Sequence, residues 1–188
     1  SLVGRIAQLL AFLREALAVE SLRVVAVCFG CQAVAVALGG RVARNPSGEF
    51  VYRRERLLLE EQTSLGGRLE RRTELALLAA HGQQVVALPA GATRLASSRG
   101  SPNELYVIQG RILGCQAHPE FDPVHLTERI TPALLASGVL PDQRAADEAD
   151  ASINAFTPPD DALVMRRVFR DWLGLTATED RSSDEKAA

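Results

Sequence analysis

The chain has 188 residues, of which 47% are hydrophobic and 23% are charged, and its formal net charge is −2. This composition is typical of one folded domain with a sizeable core, and a charge so near zero gives no electrostatic basis for binding nucleic acid or an anionic membrane. An odd number of cysteines, three, favours a reducing compartment over a disulfide scaffold. We recognise no signal peptide, transmembrane run or internal repeat, and we therefore expect a cytoplasmic protein.

The first forty residues predict a helix, a strand and a second helix. Apolar residues recur at three- and four-residue steps over residues 2–19, which predicts an amphipathic helix. The predicted strand at 22–27 ends on Cys28, and an apolar helix follows up to Gly39-Gly40. This order is typical of a nucleophile elbow, a tight strand-to-helix turn that presents a reactive side chain. The start of the helix would add N–H groups and a positive dipole end, which favour a thiolate.

A lone cysteine at the end of an apolar strand is more often a buried core residue than a nucleophile. The catalytic interpretation of Cys28 therefore depends on a general base elsewhere in the chain.

The middle of the chain predicts mainly strands. They are expected at residues 41–44, 49–60, 85–88, 105–109 and 112–117, the last two as a hairpin, whereas residues 75–79 are ambiguous between helix and strand. The charged run at 53–56 is typical of the solvated face or edge of a strand rather than of a phosphate site.

A candidate base follows the last of these strands, in His118-Pro119-Glu120. Residues two apart in extended backbone point to the same side, and Pro119 favours that conformation at His118. Glu120 can therefore reach one ring nitrogen of His118 while the other nitrogen faces Cys28, as a cysteine nucleophile requires. Taken alone, the pattern also fits a surface histidine beside a solvated glutamate.

The other histidines are weaker candidates. His81 has no carboxylate two residues away, and His125 is expected at the surface. The three histidines are scattered and give no case for a metal site, and we predict no cofactor.

Helices and loops are predicted towards the end of the chain. Residues 124–137 can be helical with a break at Pro132, the acidic residues 142–150 are expected to form a loop, and a helix is predicted from residues 158–161 to Trp172. The small, polar residues 176–188 are expected to be disordered.

Four segments, in order, resemble those of the class I glutamine amidotransferases. Residues 26–32 resemble the nucleophile pattern G-x-C-x-G-x-Q with Ala26 in place of the first glycine, and residues 114–120 match G-x-Q-x-H-P-E. Residues 80–85 resemble the family's S-H-G-D-x-V segment, and residues 88–98 continue it. The resemblance covers residues 1–123 and is closest to the stand-alone branch similar to the amidotransferase domain of GMP synthase.

The resemblance implies an α/β fold, a flavodoxin-like three-layer α/β/α sandwich, over residues 1–175. In the family, further strands and a glycine-rich loop with a second oxyanion donor precede the first helix. Neither is present in this sequence, and we expect an N-terminal segment before residue 1.

The resemblance also implies roles for individual residues. Cys28 would attack the side-chain amide of glutamine, His118 would act as base and then as the acid that releases ammonia, and Glu120 would orient His118. The backbone N–H of Phe29 would be an oxyanion donor.

Three further residues would hold the substrate: Gln32, Gly82 and Gln83. The implied substrate is glutamine or a γ-glutamyl compound, and ammonia would pass to solution or to a separate synthetase. Two alternatives remain open, a γ-glutamyl peptide hydrolase with the same triad and a non-catalytic binding subunit.

Overall fold

The structure, a computed structural model, describes residues 2–61, 65, 69, 72–155 and 161–175. The tail predicted at 176–188, and the helix start predicted at 158–160, lie outside these described residues. The α-helices are α1 (Leu2–Leu17), α2 (Phe29–Ala37), α3 (Pro123–His125), α4 (Thr131–Ala136), α5 (Gln143–Ile153) and α6 (Asp161–Trp172), and a π-helical segment, Leu126–Ile130, joins α3 to α4. The strands are β1 (Val24–Val27), β2 (Arg41–Arg44), β3 (Val51–Leu59), β4 (Glu74–His81), β5 (Gln83–Ala87), β6 (Ala92–Ser97), β7 (Leu105–Ile108) and β8 (Ile112–Cys115).

The described strands form two sheets. Six of them make the main sheet in the order β1-β8-β7-β6-β3-β4, and β2 pairs with β5 in a small antiparallel sheet. Within the main sheet, β1 and β8 run parallel, whereas each of the other described pairs is antiparallel. Helices α1 and α2 lie on one side with the small sheet, and α6 lies on the other. The architecture is therefore α/β with a layered core, as predicted.

The main sheet curls until its two ends approach each other. The backbone N–H of His118, just after β8, donates to the carbonyl of Leu78 in β4 at 2.7 Å, although three strands separate β8 from β4 in the sheet. Helix α6 packs over β4 and β1, and the indole N–H of Trp172 lies 3.0 Å from the carbonyl oxygen of Val24. The curl brings the ends of three strands, β1, β8 and β4, to one edge.

The acidic residues 142–150, predicted as a loop, lie in helix α5. The carboxylate of Asp142 caps the helix by accepting the N–H of Ala145 at 2.8 Å. Ala146, Ala149 and Ile153 are buried on one face of α5. The acidic side chains mask this three- and four-residue apolar spacing, which is why the loop prediction was wrong.

The prediction of a solvated run at residues 53–56 was wrong for Glu55. Its side chain lies on the same face of β3 as the fully buried Leu57 and is only 4% exposed. Glu55 forms an ion pair with Arg53. By contrast, Arg56 points outwards and pairs with Glu74 at the surface.

We expect Gly114→Ala to destabilise the protein, because a Cβ at Gly114 would lie 2.3 Å from Cζ of the buried Tyr106 ring. Overpacking of this kind lowers the free energy of unfolding by about 1–3 kcal/mol. Chemical denaturation measures the change. Gly30→Ala is the matched control, since its Cβ would meet only the Ala26 Cβ, at 3.9 Å. Equal stability losses in the two variants would contradict the packing argument.

Candidate active site

Cys28 stands on a sharp turn between β1 and α2. Val27 pairs with Cys115 in the parallel ladder, and the N–H of Cys28 donates to the carbonyl of Cys115 at 2.8 Å. The backbone of Cys28 has φ 47 and ψ −111, a left-handed conformation that is costly for a residue with a side chain. Such strain is typical of a nucleophile elbow, because it turns the side chain out of the strand. The Cys28 residue is partly exposed.

His118 lies beside Cys28 and is held from two directions. Its Nδ1 is 2.6 Å from Oε1 of Glu120, and its ring stacks on Phe121 with the centroids 3.9 Å apart. The imidazole also interacts with the side chain of Cys28, and this interaction raises the pKa of His118. Because Nδ1 faces Glu120, Nε2 is the nitrogen available to the sulfur. The structure thus brings together the three side chains that the sequence predicts to act as a triad.

The electrostatics of this group favour a protonated imidazole. Burial lowers the pKa of His118, but interactions with Cys28 and then with Glu120 outweigh it and raise the pKa to about 9. At neutral pH the protonated His118 therefore places a positive charge beside the sulfur of Cys28.

His81, the weaker candidate for the base, has the opposite environment. It is 3% exposed, and burial is the main reason why its pKa falls to about 4. His81 is therefore neutral at physiological pH, and the positive charge of His118 contributes to keeping it so.

Three of the residues predicted to hold substrate lie at the start of α2 and at the turn after β4. Phe29 begins α2, so its backbone N–H is one of the helix N–H groups without an intrahelical partner. Gly82 and Gln83 lie at the turn between β4 and β5, and the carbonyl of Ala80, just before it, is 3.9 Å from Sγ of Cys28.

Gln32 is buried beneath this turn. Its Nε2 donates to the carbonyl of Gln83 at 2.8 Å and to Oε1 of Gln116 at 3.0 Å. These two bonds use both hydrogens of the amide nitrogen, so only Oε1 of Gln32 remains to accept a bond from a ligand.

Sequence reasoning assigned no role to Gln116, which is fully buried at the centre of the site. Its Nε2 donates to Sγ of Cys28 at 3.5 Å, while its Oε1 accepts from Gln32 and lies 3.9 Å from Sγ of Cys31. The side-chain amide of Gln116 thus connects the thiol of Cys28 to Gln32, the residue that donates to the carbonyl of Gln83. The sign of Gln116 in the sequence is a polar amide side chain at the end of an otherwise apolar strand.

Glu104 was also missed. It is fully buried, accepts the hydroxyl of Ser98 at 2.6 Å, and its backbone carbonyl accepts the N–H of Gln116 at 2.8 Å. Burial is the main reason why the pKa of Glu104 rises to about 7. A buried carboxyl group therefore lies behind the site, half-protonated near neutral pH.

The described part of the chain contains no cluster of three or more His, Cys, Asp or Glu side chains able to hold a metal ion. Among the described helices, none is both long and apolar enough to cross a membrane.

The sequence is similar to those of a γ-glutamyl peptidase and a glutamine-hydrolysing GMP synthase. The chain is 27% identical to γ-glutamyl peptidase 3 of Arabidopsis thaliana over 154 residues, 80% of this chain and 60% of that protein. It is 31% identical to the glutamine-hydrolysing GMP synthase of Marinobacter nauticus over 116 residues, 56% of this chain and 21% of the synthase. The chain therefore spans less than two thirds of either relative.

A solved structure shares the fold. The crystal structure of a glutamine amidotransferase from Thermotoga maritima superposes with a TM-score of 0.64 over 87% of this chain and 67% of that one, at 21% sequence identity. The sequence model described as glutamine amidotransferase class-I matches residues 3–132, which include the elbow and the His-Pro-Glu segment. The chain belongs to the class I glutamine amidotransferase family.

Proposed function

We propose that the protein hydrolyses the γ-amide of glutamine, or of a γ-glutamyl compound, through a cysteinyl thioester. The observation that carries this proposal is the chain of contacts from Cys28 to His118 to Glu120 at the end of two parallel strands. A thiol, a base that can bind its proton and a carboxylate that fixes the base are the requirements of nucleophilic cysteine catalysis.

In the first half of the reaction, the sulfur of Cys28 attacks the γ-carbonyl carbon while His118 holds the thiol proton. The oxyanion that forms is stabilised by the N–H of Phe29 and the positive end of the α2 dipole, at about 2.7–4 kcal/mol per well-placed donor. His118 then gives its proton to the leaving amine, which departs as ammonia or as a larger amine.

In the second half, His118 takes a proton from water, and the hydroxide attacks the thioester and releases the glutamyl product. Glu120 keeps Nδ1 of His118 in place throughout, so that Nε2 serves both half-reactions. Gln32, Gly82 and the carbonyl of Gln83 would hold the amino-acid end of the substrate.

A cleft beside Glu120 favours γ-glutamyl peptides as a second candidate substrate. Its volume is about 630 Å³, and Arg54 and Arg166 line it together with Asp122. Each of these guanidinium groups donates to a backbone carbonyl, Arg54 to that of Ile153 and Arg166 to that of Pro119. Their positive charges suit the carboxylate of a peptide leaving group. The similarity to γ-glutamyl peptidase 3 agrees with this candidate, whereas the similarity to GMP synthase supports glutamine and a separate synthetase that accepts the ammonia.

We expect Cys28→Ser to lower glutamate release at least about a thousandfold, because the triad acts as a unit. Release is measured from glutamine and from a γ-glutamyl dipeptide, and the preferred substrate separates amidotransferase from peptidase activity. Cys31→Ala is the matched control, since it removes a buried thiol from the same helix and should retain activity. Release that survives Cys28→Ser would contradict the mechanism. Absence of release from the wild-type protein, with binding intact, would favour a binding subunit.

The protonation of His118 and His81 can be measured by NMR titration. We expect His118 to titrate with a midpoint of about 9 and His81 with a midpoint of about 4. The pKa of His118 exceeds its usual value of about 6.5, so protonated His118 stabilises the fold. This stabilisation is fully present below pH 6.5 and is lost as the pH rises through about 9. Glu120→Gln should lower the His118 midpoint, and an unchanged midpoint would argue against their pairing.

We expect Gln116→Met to slow the reaction of Cys28 with iodoacetamide at least about tenfold at neutral pH, because a hydrogen bond to a charged group contributes about 1.5–3 kcal/mol. The substitution keeps the volume of the side chain but removes its N–H donors. Gln143→Met, on the exposed face of α5, is the control. Equal rates for wild type and Gln116→Met would show that the amide does not activate the thiol.

A further inference from the structure

Two cysteines lie in the first turn of α2, in Cys28-Phe29-Gly30-Cys31. The Cα–Cα separation of residues three apart is set by the two residues between them, and for a helical Phe29 and Gly30 it is about 5 Å. Disulfides span Cα–Cα distances of about 4.4–6.8 Å. A Cys-x-x-Cys pair at the start of a helix is also the arrangement in which the first thiol is most reactive.

Both thiols contact the same side-chain amide. The Nε2 of Gln116 lies 3.5 Å from Sγ of Cys28, and its Oε1 lies 3.9 Å from Sγ of Cys31. The two sulfurs therefore lie at the two ends of one planar group.

The two thiols differ in access. Cys28 is partly exposed and interacts with His118, whereas Cys31 is fully buried. A small oxidant from solvent therefore reaches Cys28 first and finds a second thiol behind it.

The third cysteine does not belong to this pair. Cys115 packs in the core on the α6 side of the sheet, whereas Cys31 packs on the α2 side. The sulfur of Cys115 contacts the carbonyl of Ala117, 3.3 Å away. Cys115 is thus an equally buried thiol that can serve as a control.

We propose that Cys28 and Cys31 form a reversible disulfide when the protein meets a hydroperoxide, with Cys31 as the resolving cysteine. The proposal rests on the reactive thiol of the proposed function. It makes the first turn of α2 a modification site as well as part of the active site.

The disulfide forms in two steps. The thiolate of Cys28 attacks a peroxide oxygen, so that an S–O bond forms, the O–O bond breaks, and an alcohol or water leaves. The sulfur of Cys31 then attacks the sulfenic sulfur of Cys28. The S–S bond forms, the S–O bond breaks, and the hydroxide leaves as water with the proton of Cys31. The two thiols are oxidised together by two electrons, and the hydroperoxide is reduced.

Disulfide mapping after hydrogen peroxide treatment tests the pair without any need for turnover. Chymotrypsin cuts after Phe29, so a Cys28–Cys31 bond holds the two fragments together until a reductant separates them. We expect this linkage in the wild-type protein and in Cys115→Ala. Its absence from the wild-type protein would overturn the proposal, whatever its amidase activity.

Activity after oxidation gives the second readout. We expect peroxide to remove most of the glutamate release from wild type and from Cys115→Ala, and dithiothreitol to restore it. In Cys31→Ala the loss should persist after reduction, because without a resolving thiol Cys28 proceeds to sulfinic acid, which thiols do not reduce. Full recovery of Cys31→Ala would overturn the proposal. A mapped linkage in a protein that releases no glutamate would instead contradict the proposed function and leave the thiol pair standing.

Discussion

The parallel pairing of β1 with β8 is the constraint on which the rest of the site depends. Val27 opposite Cys115 fixes where the two strands end, so the residues that follow each strand meet at one edge of the sheet. The hydrogen bond from the N–H of Cys28 to the carbonyl of Cys115 then holds the strained turn in place. Strain of this kind costs about 1–3 kcal/mol and persists only where neighbouring contacts fix the backbone. Cys28 meets this condition, with the ladder before it and a buried helix after it.

The curl of the sheet supplies the second half of the site. The bond between His118 and Leu78 brings β4 to the edge where β1 and β8 end, and with it the turn that carries Gly82. The curl also places two histidines in contrasting surroundings. His118 has hydrogen-bond partners that keep its proton, whereas buried His81 loses its proton, so their pKa values of about 9 and about 4 lie on opposite sides of neutrality. The fold thus gives different protonation states to two histidine side chains.

The parts predicted from sequence were those with local signals. An apolar strand that ends on Cys28 before an apolar helix, and another that ends on His118 with Glu120 two residues on, are patterns within a few residues. Helix α5 was missed because acidic residues dominate its exposed face. The burial of Glu55 and the contacts of Gln116 depend on how distant strands curl together, which no local pattern encodes.

Gln116 connects the turn between β4 and β5 to the thiol of Cys28. Its Oε1 accepts from Gln32, which fixes the carbonyl of Gln83, while its Nε2 reaches the sulfur of Cys28. The amide is fully buried, and the loss of any partner would leave a polar group without a bond at a cost of about 1–3 kcal/mol. That cost favours the arrangement in which the turn between β4 and β5 stays close to the thiol of Cys28. The same arrangement holds the sulfur of Cys31 at the other end of the amide, so the group that contacts the thiol of Cys28 also contacts a second thiol.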